Sequence, residues 1–186
     1  MATVVAISGS LRKGSFNSAL LRAAAELAPD DLVLVEGSIA AIPLYDGDLE
    51  AREGLPPAVV ELKAQIAAAD GLLLATPEYN QSFPGVLKNA IDWLSRPPAD
   101  VPRVFGGKAV AVIGATPGPG GTRLAQAAWL PVLRALGTRP WFGKQLHVSG
   151  AASLFDGEGG LVDERTRAQL AEYLRGFARF VASPSG

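Results

Sequence analysis

The chain has 186 residues, 48% hydrophobic and 19% charged, which suits a folded unit with a sizeable core rather than a disordered segment. A formal net charge of −1 gives no support to a nucleic-acid-binding surface or a basic membrane patch. The absence of cysteine excludes disulfides, zinc–thiolate sites and thiol nucleophiles, and a single histidine excludes a multi-histidine metal site.

The amino terminus enters a strand too soon for a signal peptide, and no apolar run approaches the roughly 20 residues that span a bilayer. A cytoplasmic protein with no membrane partner is expected. Apolar runs then alternate with helical patterns. Thr3–Ser8 reads as a strand, and Leu20, Leu21, Ala24, Leu27 and Ala28 recur at helical spacing within a helix over Ala19–Ala28. Leu32–Glu36 is a second strand. An irregular stretch from Gly37 to Gly54 follows, and Pro56 opens a helix running to about Ala69. Gly71–Thr76 is a third strand, and Pro84–Leu94 a helix stopped by Arg96-Pro97-Pro98. Lys108–Gly114 is a fourth strand, followed by a helix over Thr122–Leu136 that Gly137 ends. A fifth strand is expected within Pro140–Val148, and Glu164–Val181 is the last helix.

This alternation predicts an α/β fold: a five-stranded parallel sheet with helices on both faces, a three-layer sandwich. Residues 1–182 form one domain in this reading, and 183–186 a tail. Ligands of such sheets sit beyond the carboxyl ends of the strands. Three loops leave those ends: Gly9–Phe16, Pro77–Phe83 and Ala115–Gly121.

The first loop turns from strand to helix, where first-turn N–H groups and the helix dipole favour an anion. Ser10, Ser15 and Asn17 can donate to phosphate oxygens, and Arg12 can add a charged contact. Ser15 reads equally well as a helix N-cap. No Gly-Lys-Ser/Thr follows at Walker spacing, and the turn is not Gly-x-Gly-x-x-Gly, so a mononucleotide phosphate is favoured. In the second loop Tyr79 offers a flat face, while Asn80 and Gln81 offer amides, as a planar heterocycle with polar edges requires. Glu78 can equally pair with a basic residue. The third loop, Ala115-Thr116-Pro117-Gly118-Pro119-Gly120-Gly121, has no acid–base side chain but can present backbone N–H groups. His147 reads as a strand-end or interface residue, and Trp93 as core or interface.

Gly9-Ser10-Leu11-Arg12 through Ser15 and Asn17, with Pro77-Glu78-Tyr79-Asn80 and Pro84-Gly85-Val86-Leu87-Lys88-Asn89-Ala90-Ile91-Asp92-Trp93, resembles the NADPH-dependent FMN reductase family, which includes quinone and chromate reductases and azoreductases. The resemblance runs from about Ala2 to Phe180 and implies a flavodoxin-like fold, bound FMN and a homodimer or homotetramer. It assigns Ser10, Arg12, Ser15, Phe16 and Asn17 to the phosphate and ribityl end. Pro77, Glu78, Tyr79 and Asn80 are assigned to the isoalloxazine, with Gly118 as a third-loop contact. The loop around Thr116-Pro117-Gly118-Pro119 is richer in proline than the family pattern.

The expected function is transfer of a hydride from NAD(P)H through bound FMN to quinones or other small acceptors. No catalytic side chain and no metal is needed, because the flavin carries the chemistry. The alternatives are a flavodoxin-like electron carrier without its own reductase activity and a non-flavin module using the same phosphate turn. A net charge of −1 argues against the carrier, since such proteins are often strongly acidic.

Overall fold

The protein is described here by a computed structural model covering residues 1–183; residues 184–186 of the expected tail lie outside the described residues. Four strands form most of the sheet: β1 (Ala2–Ser8), β2 (Leu32–Gly37), β3 (Gly71–Ala75) and β4 (Ala109–Ala115). They run parallel in the order β2-β1-β3-β4. Every residue of β3 is buried, as its unbroken apolar run predicts for a strand covered on both faces. β2 is the edge and leaves Val33 and Val35 partly exposed.

Among the described residues seven α-helices complete the fold: α1 (Phe16–Glu26), α2 (Gly47–Glu53), α3 (Pro57–Ala68), α4 (Gly85–Leu94), α5 (Val101–Val104), α6 (Arg123–Ala135) and α7 (Glu164–Ala182). Successive strand residues point to opposite faces, which divides the core into two. Val4 and Ala6 of β1 pack with Leu20, Ala24, Leu170, Leu174 and Phe177 of α1 and α7. Val5 and Ile7 pack with Val59, Leu62, Leu87, Ile91 and Trp129 of α3, α4 and α6. The result is the flavodoxin-like three-layer sandwich. Among the described residues, no helix is long and apolar enough to cross a membrane.

The fifth strand differs in detail from expectation. It is split into β5 (Arg139–Pro140) and β6 (His147–Val148), both parallel to β4 but paired with opposite ends of it. Residues 141–146 leave the sheet between them. Trp141 begins this excursion by donating its N–H to the Val110 carbonyl at 2.8 Å. Opposite the gap, Tyr173 donates its hydroxyl to the Val112 carbonyl at 3.1 Å, satisfying a β4 acceptor that a continuous strand would have used.

The stretch expected to be irregular contains α2, capped by Asp46, whose carboxylate accepts from the Asp48 N–H at 2.9 Å. Its approach is strapped to α4. The Pro43 carbonyl accepts from Asn89 Nδ2 at 2.8 Å and from Trp93 Nε1 at 2.9 Å, and Asn89 Oδ1 accepts from the Tyr45 N–H at 2.8 Å. Asn89 and Trp93 lie one helical turn apart, so a single face of α4 holds the strap.

Candidate functional site

The carboxyl ends of β1, β3 and β4 lie side by side, and their loops are tied to one another by specific bonds. The sheet ladder runs on past the strands: Gly9 N–H donates to the Ala75 carbonyl and Thr76 N–H to the Ile113 carbonyl, both at 2.8 Å. Two glycines permit this closeness. A Cβ on Gly9 would stand 2.9 Å from Leu87 Cδ2 and 3.0 Å from Pro77 Cδ. One on Gly114 would stand 2.0 Å from Thr122 Oγ1 and 2.3 Å from the Thr76 carbonyl oxygen. Gly114 therefore excludes any larger residue, and a larger residue at Gly9 would have to displace Leu87.

In the first loop Ser15 is the N-cap of α1. Its Oγ accepts from the N–H groups of Asn17 at 3.2 Å and Ser18 at 3.3 Å. The hydroxyl retains its own proton for a ligand. Among the described residues, the N–H groups of Lys13, Gly14 and Phe16 meet no protein acceptor; for Phe16 this is the open donor of a helix start. Arg12 is exposed, with its guanidinium 5.5 Å from the Phe16 ring centroid, and Phe16 rests on Phe155 at 5.6 Å. The Ser10 Oγ accepts weakly from the Arg12 N–H at 3.4 Å. Residues 8–18 contain Arg12 and Lys13 and no carboxylate. Space beside Gly14 is open, with nothing within 4 Å of an added Cβ.

Asn17 stands apart from this set. Its side chain is buried and engaged at both ends by one residue of β4: Nδ2 donates to the Ala115 carbonyl at 3.0 Å, and Oδ1 accepts from the Ala115 N–H at 2.9 Å. The amide therefore ties the first loop to the third.

The second loop is a two-residue hairpin. Tyr79 and Ser82 exchange backbone hydrogen bonds at 2.9 and 3.0 Å across Asn80 and Gln81, which have φ of 51° and 64°. Positive φ at both central residues is the type I′ pattern; asparagine accepts it readily, and glutamine does so at a cost of about 1 kcal/mol. Tyr79 is 49% exposed, so aromatic surface remains available. Phe83 anchors the other side of the hairpin against Trp129 of α6 at 4.7 Å. Glu78 is committed to α6: Oε2 accepts from the N–H groups of Leu124 at 2.9 Å and Ala125 at 3.1 Å. Thr122, the N-cap residue of α6, makes no capping bond of its own, so Glu78 supplies the cap from across the site.

The third loop is fastened to the chain after β6. Thr116 N–H donates to the Val148 carbonyl at 2.9 Å, Ala151 N–H to the Thr116 carbonyl at 3.0 Å, and Gly150 N–H to the Gly118 carbonyl at 3.2 Å. Gly118 thus lies in a braced turn. Beside Gly121 at the end of this loop, burial pushes the His147 imidazole below its usual pKa, the Arg123 charge lowers it further, and Glu78 opposes both. His147 lies in β6, the strand-end position expected of it.

The ten expected residues lie on three adjoining loops and the first turn of α1. Four first-loop groups surround an anion-favouring turn, while Asn17 and Glu78 serve as cross-braces. Leu124 and Ala125, whose N–H groups receive Glu78, had no signal in the sequence, because the contact joins residues 46 and 47 positions apart.

Residues 2–153 match the family described as NADPH-dependent FMN reductase. The chain belongs to that family. An NAD(P)H-dependent FMN reductase of Pseudomonas aeruginosa, PA1204, is 44% identical over 178 residues, covering 96% of this chain and 94% of the relative. A 2-hydroxy-1,4-benzoquinone reductase of a Burkholderia species is 40% identical over 178 residues, covering 96% and 95%. Among solved structures, the flavoenzyme NAD(P)H:(acceptor) oxidoreductase FerB of Paracoccus denitrificans superposes with a TM-score of 0.87 at 36% identity, covering 97% of each chain. In this chain the family fold carries the first-loop turn, the hairpin and the braced third loop together beyond the carboxyl ends of β1, β3 and β4.

Proposed function

We propose that this chain is an FMN-dependent NAD(P)H oxidoreductase that passes reducing equivalents to quinones or other small electron acceptors. Its membership of the FMN reductase family makes it an oxidoreductase. The observation that carries the reading within this chain is the cationic, carboxylate-free turn at residues 8–18, set beside an exposed aromatic hairpin beyond the carboxyl ends of neighbouring parallel strands.

The residues present fit FMN. Ser10, Arg12, Ser15 and the Phe16 N–H are donors suited to a phosphate dianion, and Gly14 leaves them open. Phe16 and Arg12 stack on one another, which holds the guanidinium near the turn. Asn17 contributes by fixing the turn to Ala115, and Glu78 by fixing the hairpin to α6. Pro77, Tyr79 and Asn80 border the flavin ring in this assignment, with Gly118 facing it from the third loop. Bound FMN supplies the redox chemistry between the nicotinamide and the acceptor, and the protein supplies position and electrostatics. The second and third loops contain no Lys or Arg, so backbone N–H groups are the available donors toward the ring.

Residues 1–182 act as one FMN-binding unit in this reading. A homodimer or homotetramer fits the exposure of Leu44, which is 81% accessible although its neighbours Pro43 and Tyr45 are bonded to α4. A rigidly presented apolar side chain suits contact with a second copy. The reading includes a cytoplasmic setting, where NAD(P)H is supplied.

Steady-state oxidation of NAD(P)H with a p-quinone acceptor tests the function. Activity that requires added or bound FMN is expected. FMN-loaded protein that oxidises neither nicotinamide, with any of several acceptors, overturns it.

A further inference from the structure

The second loop is fastened to α6 at its start, its middle and its end. At the start, Trp129 Nε1 donates to Thr76 Oγ1 at 3.2 Å. In the middle, the Glu78 carboxylate receives the N–H groups of Leu124 and Ala125. At the end, Phe83 rests on the Trp129 ring at 4.7 Å. The bond to Thr76 reaches further than the other two, into the backbone of the loop itself.

Thr76 and Trp129 are both fully buried. An indole N–H can only donate, so the Thr76 hydroxyl accepts from it and has its own proton to give. That proton goes to the Pro77 carbonyl, 3.0 Å from Oγ1. The relay from Trp129 through Thr76 to Pro77 therefore runs in one direction only. It holds the Pro77 carbonyl toward the buried hydroxyl. The Pro77–Glu78 peptide is trans. In a planar trans peptide the N–H points opposite to the C=O, so the Glu78 N–H is turned away from the Thr76 hydroxyl.

This N–H is also the first backbone donor beyond the sheet. The ladder ends with the Thr76 N–H on the Ile113 carbonyl, Pro77 has no N–H to continue it, and the Tyr79 N–H is taken by the Ser82 carbonyl. Among the described residues the Glu78 N–H meets no protein acceptor. We propose that Thr76 and Trp129 are positioning residues for the flavin: by holding the Pro77 carbonyl they present the Glu78 N–H to the ring and raise the reduction potential of bound FMN. The inference rests on the flavin assignment within the reductase reading above. Reduced flavin carries more negative charge than oxidised flavin, so a fixed N–H donor favours the reduced form. Both residues are buried and act through one peptide plane.

The test uses full-length protein reconstituted with FMN and three variants, Thr76→Val, Thr76→Ser and Trp129→Phe. Valine keeps the shape of threonine and removes the hydroxyl, while serine keeps the hydroxyl. Phenylalanine keeps a ring beside Phe83 and removes the N–H. Anaerobic titration with dithionite against redox dyes reads the potential without a nicotinamide. Thr76→Val weakens binding of reduced FMN about tenfold more than that of oxidised FMN, which lowers the two-electron potential by about 30 mV. Trp129→Phe shifts the potential in the same direction by less, and Thr76→Ser stays at the wild-type value. A Thr76→Val protein with a lowered Tm and an unchanged potential overturns the proposal, because the hydroxyl is then only structural. A Thr76→Ser potential as low as that of Thr76→Val overturns it too. Should Thr76→Val fail to fold, an unchanged potential in Trp129→Phe overturns it. Wild-type protein that takes up no FMN removes this inference and the reductase reading together. FMN-loaded protein that shows these shifts but oxidises neither nicotinamide removes the reductase reading alone.

Discussion

Asn17 holds both polar backbone groups of Ala115, donating to its carbonyl at 3.0 Å and accepting from its N–H at 2.9 Å. One amide side chain thereby imitates a neighbouring strand and stitches the first loop to the end of β4. Asn17→Ala leaves both Ala115 groups buried without partners, which costs about 2–5 kcal/mol. For a chain of this size that lowers Tm by roughly 5–15 °C. Thermal unfolding of the FMN-free protein checks it; an unchanged Tm contradicts the brace.

Arg12 is exposed and carries its charge beside the open turn. Arg12→Ala is expected to raise the Kd for FMN by about 10- to 100-fold, the contribution of a charged hydrogen bond to phosphate. The rate at which NAD(P)H reduces the flavin in fully loaded variant changes far less, because the phosphate lies away from the redox ring. Fluorescence titration of FMN gives the first quantity and stopped-flow absorbance the second. Equal FMN affinity rules out the assignment of Arg12.

Glu78 acts as a transplanted N-cap for α6. Glu78→Gln keeps an acceptor oxygen but loses the charge that complements the helix dipole, a loss of about 0.3–1 kcal/mol. Glu78→Ala loses the cap as well, about 1 kcal/mol more. Urea unfolding should rank the proteins Glu, Gln, Ala, and FMN affinity should follow the same order. If alanine matches glutamate in both, Glu78 does not brace the loops.

These braces mark where the sequence stops being legible. The cores of β1, β3 and β4 could be read because uninterrupted apolar runs predict strands covered on both faces, and Ser15 showed its capping role by type and position. The pairing of Asn17 with Ala115 spans 98 residues, and nothing local announces it. α2 escaped because none of its residues is buried, so it has no apolar stripe; only the Asp46 cap could have revealed it. The split of the last strand was hidden by shortness, since two residues at a time give no alternation to read. The hairpin at Asn80-Gln81 lacks the glycine that normally signals positive φ.

His147 is the sole histidine of the chain, so its titration can be followed without assignment. Burial lowers its pKa first, and Arg123 second. A lowered folded value means that the unfolded chain takes up a proton which the folded protein resists. The stability from this residue is therefore present above about pH 6.5 and declines as pH falls toward the folded pKa. The imidazole NMR signal should titrate below the ordinary histidine range, and Arg123→Ser should move the midpoint upward. A midpoint at or above the ordinary value contradicts the half-buried placement beside Arg123.

The account as a whole stands on FMN bound at the three loops and reduced there by a nicotinamide. Anaerobic addition of NADPH or NADH to protein reconstituted with FMN tests this most directly. The account predicts stable binding of one FMN per chain and rapid bleaching of its visible absorbance by at least one nicotinamide. Protein that takes up no FMN, or whose bound FMN keeps its oxidised spectrum with both, contradicts it.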